Sequence, residues 1–95
     1  LRYYLAGAPN EHGAFTVHAG HVYTFVVNGS ARQPVYYDAA VYPLRPTQRD
    51  TAFHRAGHHR WTLGVYMQPN LRTHPYWNIG VRIGDAMHII KIRIG

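Results

Sequence analysis

The sequence predicts an all-β fold, a single antiparallel β-sandwich of about seven short strands. Two stretches near the C-terminus keep strict two-residue periodicity. Turn residues recur about every eight to twelve positions along the chain. No internal repeat, low-complexity tract, heptad or amphipathic helix competes with that pattern. In the first periodic stretch Trp77, Ile79, Val81 and Ile83 share one face, against Tyr76, Asn78, Gly80 and Arg82. In the second, Ile90, Ile92 and Ile94 oppose Ile89, Lys91 and Arg93. Such alternation marks a strand with one buried face, because successive side chains point to opposite sides.

The elements follow in order. Arg2-Tyr3-Tyr4-Leu5-Ala6 is a short aromatic strand stopped by Gly7-Ala8-Pro9-Asn10. Residues 14–18 form a second, with Phe15 and Val17 on one face. Ala19-Gly20 turns the chain into 21–27, the richest stretch in β-branched and aromatic residues, and Asn28-Gly29-Ser30 ends it with turn chemistry. An extended piece covers Pro34 to Val41. From 42 to 60 periodicity fades, and a long irregular loop is expected there, rich in Arg and His. Order resumes with Trp61, Leu63, Val65 and Met67 on one face. Residues 68–75 link to the two periodic stretches, which are joined by a hairpin turn at Gly84-Asp85. The expected core is Trp61, Leu63, Val65, Trp77, Ile79, Ile90 and Ile92, with Phe25 or its neighbours.

Length allows one small domain. A chain of 95 residues buries roughly 60–65% of its unfolded surface, enough for one core. With 46% hydrophobic residues, including eight Tyr, three Phe and two Trp, it can fold. The absence of cysteine excludes disulfides, thiolate ligands and thiol nucleophiles. No apolar run approaches the ~20 residues of a membrane-spanning helix. The chain opens at Leu1, as expected of a processed protein or the ordered part of a longer one. Its net charge of +6 favours acidic partners, although the basic residues are scattered singly.

The order of these pieces resembles a cupredoxin. The run Phe15-Thr-Val-His-Ala-Gly20-His-Val-Tyr-Thr-Phe-Val-Val-Asn-Gly29 is similar to the early strand, turn and strand of that family. Gln33-Pro34-Val35-Tyr36-Tyr37 stands where small plastocyanin-like domains have a His-Pro pair before an aromatic strand. Thr73-His74-Pro75-Tyr76-Trp77-Asn78-Ile79, Met87 and the Ile-rich run 89–94 match the C-terminal pattern. The resemblance implies a cupredoxin-like Greek-key sandwich without its copper ligands, with an immunoglobulin-like Greek key as the alternative. Gln33 replaces the first His, Ile79 replaces the Cys, and no His lies between Ile79 and Met87. Blue copper requires two His, a thiolate and a weak axial ligand, so electron transfer is not expected. A lone Met such as Met87 reads more readily as core filler.

The histidines offer a second kind of chemistry. His18 and His21 flank one turn, and His54, His58 and His59 lie in the loop. Such spacing offers copper or zinc ligands if the segments fold back suitably, but no carboxylate other than Asp50 stands near. Ser30, the single serine, sits in a turn without a nucleophile elbow, and no carboxylate pair or phosphate loop is present. No enzymatic activity and no cofactor are expected. Asn28-Gly29-Ser30 is also an N-glycosylation sequon, with Asn28 as acceptor.

The Tyr and Arg content points instead to contact surfaces. In Tyr3-Tyr4 and Tyr36-Tyr37, one ring of each pair must face away from the core if the segment is a strand. Tyr36, Tyr37, Tyr42, Arg45, Arg49, Arg55 and Arg60 are the candidate interface residues, since Tyr and Arg are enriched at protein contacts. The expectation is a non-catalytic structural or binding subunit, a homo-oligomer or part of a filament, surface layer or virion. It would be extracellular or on a virion surface, with an acidic partner possible and no membrane span. The alternatives are a His-based copper or zinc module and a domain binding a polyanion, either nucleic acid or acidic glycan.

Overall fold

A computed structural model describes residues 1–37 and 52–95, together with the backbone of Thr47–Gln48. The strands are β1 (Arg2–Ala6), β2 (Asn10–Glu11), β3 (Ala14–Val17), β4 (Val22–Asn28), β5 (Val35–Tyr37), β6 (Thr47–Gln48), β7 (His54–Gly57), β8 (Arg60–Tyr66), β9 (Tyr76–Ile83) and β10 (Ala86–Ile94). A 3-10 helix, Pro69–Thr73, lies between β8 and β9. Sheet one runs β1-β4-β8-β6, with β7 also paired to β8; sheet two runs β2-β3-β10-β9-β5. Side chains from both sheets share one core, so the fold is the expected all-β sandwich.

Alternation places the core. In sheet one Leu5 lies opposite Phe25, which lies opposite Leu63; Val27 lies opposite Trp61. In sheet two Ile90 faces Ile79 and Ile92 faces Trp77 across the β9–β10 ladder. All eight of the core residues expected from the sequence are buried, and Leu63, Val65, Ile79 and Ile92 are fully enclosed. Tyr3 and Tyr36 turn inward, with Tyr36 packed 6.0 Å from Phe25 between ring centroids. Their neighbours Tyr4 and Tyr37 therefore turn outward. Gly84, at φ +63°, makes the β9–β10 hairpin turn as expected.

Four expectations need correction. Residues 54–60 are not irregular, because β7 and the start of β8 form a hairpin whose turn is closed by His59 at φ +55°. Strand β7 is exposed at every position, so no apolar alternation could announce it. Three further strands appear beyond the seven, β2, β6 and β7, of which β2 and β6 are two residues long. One pairing is parallel, β3 with β10, joining Phe15–Val17 to Ile92–Ile94. Local periodicity carries no information about the direction of a partner so distant along the chain. Met87 does not fill the core: it is 50% exposed. The extended piece predicted for 34–41 is β5 as far as Tyr37, and its remainder lies outside the described residues.

The turn at Asn28-Gly29-Ser30 does not make a hairpin. Gly29, at φ +90°, carries the chain from β4 toward the second sheet, and its N–H donates to the carbonyl of His59. Ser30 is buried, and its hydroxyl donates to the Arg32 carbonyl at 2.9 Å.

Because Ile92 is fully enclosed between the sheets, Ile92→Ala is expected to cost about 2–5 kcal/mol in urea unfolding. A loss below about 0.5 kcal/mol would contradict the assigned core face.

Candidate functional site

The outer face of sheet two concentrates the exposed apolar surface. Seven large hydrophobic residues are exposed among those described, and five of them, Val35, Tyr37, Tyr76, Met87 and Ile89, belong to β5, β9 and β10. Their registers arrange them as rows across the sheet. Val35 lies opposite Arg82, which lies opposite Met87. Tyr37 lies opposite Gly80, which lies opposite Ile89. Asn78 faces Lys91, and Tyr76 faces Arg93. Gly80 has no side chain, so the second row dips between the Tyr37 ring and Ile89.

The strands of this face carry charge of one sign, and the exposed Asp85 in the β9–β10 turn is the one acid at its margin among the described residues. Strands β5, β9 and β10 contain no acidic residue, while Arg82, Lys91 and Arg93 all project outward. The Arg82 guanidinium sits 5.6 Å from the Tyr37 ring centroid, and the Lys91 ammonium 4.7 Å from that of Tyr76. Such cation–π contacts hold the long side chains over the rings and keep their charges at the surface. The nearest strand carrying an acid is the edge strand β2, where Glu11 accepts a long hydrogen bond from Thr16, 3.4 Å.

The histidines do not converge. The His18 and His21 rings are 5.9 Å apart at the end of sheet one where β4 begins. His58 and His59 stack edge-on, 3.9 Å between centroids, at the turn beside Asn28, where β4 ends. The seven residues of β4 separate the two pairs by roughly 20 Å. His54 pairs with Thr62, further along the hairpin. No group of three or more His, Cys, Asp or Glu that could hold a metal ion occurs among the described residues.

The predicted interface residues scatter differently. Tyr36 belongs to the core, and only Tyr37 of that pair is on the outer face. Arg55 lies 4.9 Å over the ring of Trp61 and reaches the Ala31 carbonyl at 3.5 Å, the outer limit of a hydrogen bond. It thus covers an edge of the core within its own chain. Arg60 is exposed at the hairpin. Tyr42, Arg45 and Arg49 lie outside the described residues. Asn28 is half-buried at the end of β4, registered between Arg2 and Arg60.

Alternation alone places Arg82, Lys91, Arg93 and Ile89 on the outward side of their strands but does not join them into a site. The signal available was Ile89, an apolar residue at a position where alternation calls for a polar one. Among the described residues, no helix is long and apolar enough to cross a membrane. Comparison with family models, curated proteins and solved structures finds no match to this chain.

Since Arg55 packs on Trp61, Arg55→Ala is expected to lower the thermal midpoint by roughly 2–6 °C, the effect of losing one partly exposed cation–π contact. Arg60→Ala should leave it within about 2 °C. Equal shifts in the two variants would show that the guanidinium over Trp61 adds nothing.

Proposed function

We propose that the chain is a non-catalytic binding subunit of a larger assembly, docking through the outer face of sheet two on an acidic protein surface. One observation carries this reading: among the described residues, five of the seven exposed large hydrophobics share a sheet face whose strands carry only positive charges. Soluble domains rarely leave many large apolar side chains gathered on one exposed face, and such clusters beside polar residues mark contact sites. Tyr and Arg favour protein contacts because they combine broad apolar area with directed hydrogen bonding. Face-to-face packing of two copies would oppose Arg82, Lys91 and Arg93 to like charges, so the occupant is a different, acidic chain. The same run of cations supports a second reading, a polyanion stacked on Tyr37 and Tyr76.

A photo-cross-linking residue in place of Ile89, in cells of the native source, separates these. The account predicts a discrete, protease-sensitive adduct at position 89 and none from position 22, which is exposed on the other sheet. Charge reversal by Arg82→Glu with Lys91→Glu should reduce adduct yield by about tenfold or more. A nuclease-sensitive adduct would replace this reading with the polyanion one, and no adduct at position 89 would overturn both.

A further inference from the structure

Sheet one ends at β1, and the geometry points to what completes it: we infer that β1 of a second copy of this chain pairs with it antiparallel about a two-fold axis, giving one continuous sheet across a dimer. The inference concerns a surface separate from the outer face of sheet two and does not rest on the docking reading.

Edge strands expose unpaired backbone groups, and folds protect themselves by keeping such strands short, bulged, charged or interrupted by proline. The other edges here carry those devices. Strands β2 and β6 have two residues each, and β5 has three and follows Pro34. The register of β7 against β8 slips between Arg55 and Gly57. Strand β1 carries only one of them, the single outward charge of Arg2. It runs five residues in unbroken register with β4, from Arg2↔Asn28 to Ala6↔Thr24, without proline, bulge or inward charge. Every second residue of an antiparallel strand turns its N–H and C=O away from its partner. Among the described residues β1 ends the strand order, so on β1 those groups face the open side of the sheet.

The side chains permit the pairing in one full register. A two-fold axis perpendicular to the sheet keeps inner residues on the inner side, so opposed positions must share a face. Centring the axis at Tyr4 overlaps all five residues. Arg2 then lies opposite Ala6, Tyr3 opposite Leu5, and Tyr4 opposite its own copy. The only charge on the strand meets a methyl group rather than another arginine. Arg2 also already lies over Tyr4 of its own chain, 5.0 Å from the ring centroid, which leaves the two tyrosines to meet as an aromatic cross-strand pair. Each chain carries +6, so two copies repel through solvent and salt relieves that repulsion. Dimerisation should therefore tighten as salt rises, whereas docking on an acidic partner should weaken.

Ala6 is exposed, so charges placed there leave the monomer fold intact. The test is sedimentation equilibrium of the full chain at ~0.15 M and ~0.5 M salt, for wild type, Ala6→Glu and Ala6→Lys, with thermal midpoints measured in parallel. The expected result is a species of twice the 10.9 kDa monomer mass, more populated at higher salt. Glu at position 6 meets Arg2 of the partner subunit twice by symmetry and should tighten the dimer roughly three- to tenfold; Lys should weaken it by a similar factor. A wild type that stays monomeric at both salts would overturn the inference. So would a dimer that responds to neither substitution, or moves in the same direction with both, since another surface would then hold it.

Discussion

Two buried indole N–H groups hold crossings between the sheets, and the sandwich depends on them. Trp61, on β8, donates to the Ser30 carbonyl at 3.0 Å, where the chain leaves the first sheet for β5. Trp77, on β9, donates to the Leu71 carbonyl at 2.9 Å, in the 3-10 helix that returns the chain to the second sheet. A connecting segment cannot use ladder hydrogen bonds, and a buried carbonyl left unpaired costs about 1–3 kcal/mol. Each indole removes that cost while filling the core with its ring. Around Trp61 the crossing is fastened further. Arg55 covers the ring, and the Gln33 amide donates to the Phe53 carbonyl at 3.1 Å. His74 stands edge-on to Trp77, 5.2 Å between centroids, from the other connection.

With the inner faces satisfied in this way, the exposed apolar groups on the outer face of sheet two add little to stability. Val35, Met87 and Ile89 there gain little from folding, because they remain exposed in the native state. Their apolar surface is therefore available for a contact outside the chain. Charge sorts the two proposed contacts. The outer face, with three cations and no acid on its strands, suits a partner of opposite sign, while the β1 edge has a single arginine that self-pairing places opposite alanine. A domain with one surface for each kind of contact can serve as a paired unit within a larger assembly.

The fold was legible wherever one strand face is buried. Trp77 to Ile83 and Ile90 to Ile92 announce themselves because enclosure demands apolar residues at every second position. Strand β7 was not legible, since all four of its residues are exposed and nothing selects their polarity. The parallel joining of β3 to β10 was hidden for a different reason, because pairing direction is set by the topology of the whole chain. The site was partly legible. Outward tyrosines and arginines were expected, but Arg55 is spent on Trp61 and Tyr36 on Phe25. Which cations share a face with Tyr37 depends on strand order, which alternation cannot provide. Spacing likewise offered two histidine clusters as ligand sets without their positions in space, and β4 holds the His18–His21 pair and the His58–His59 turn at opposite ends.

Hydrogen exchange of the two indole N–H groups, followed by ¹⁵N-resolved NMR under native conditions, tests most directly whether these residues hold the crossings. Both should exchange only through global unfolding, with protection equal to that of the most stable amides of β4 and β8. Rapid exchange of either indole while those strand amides remain protected would contradict the account.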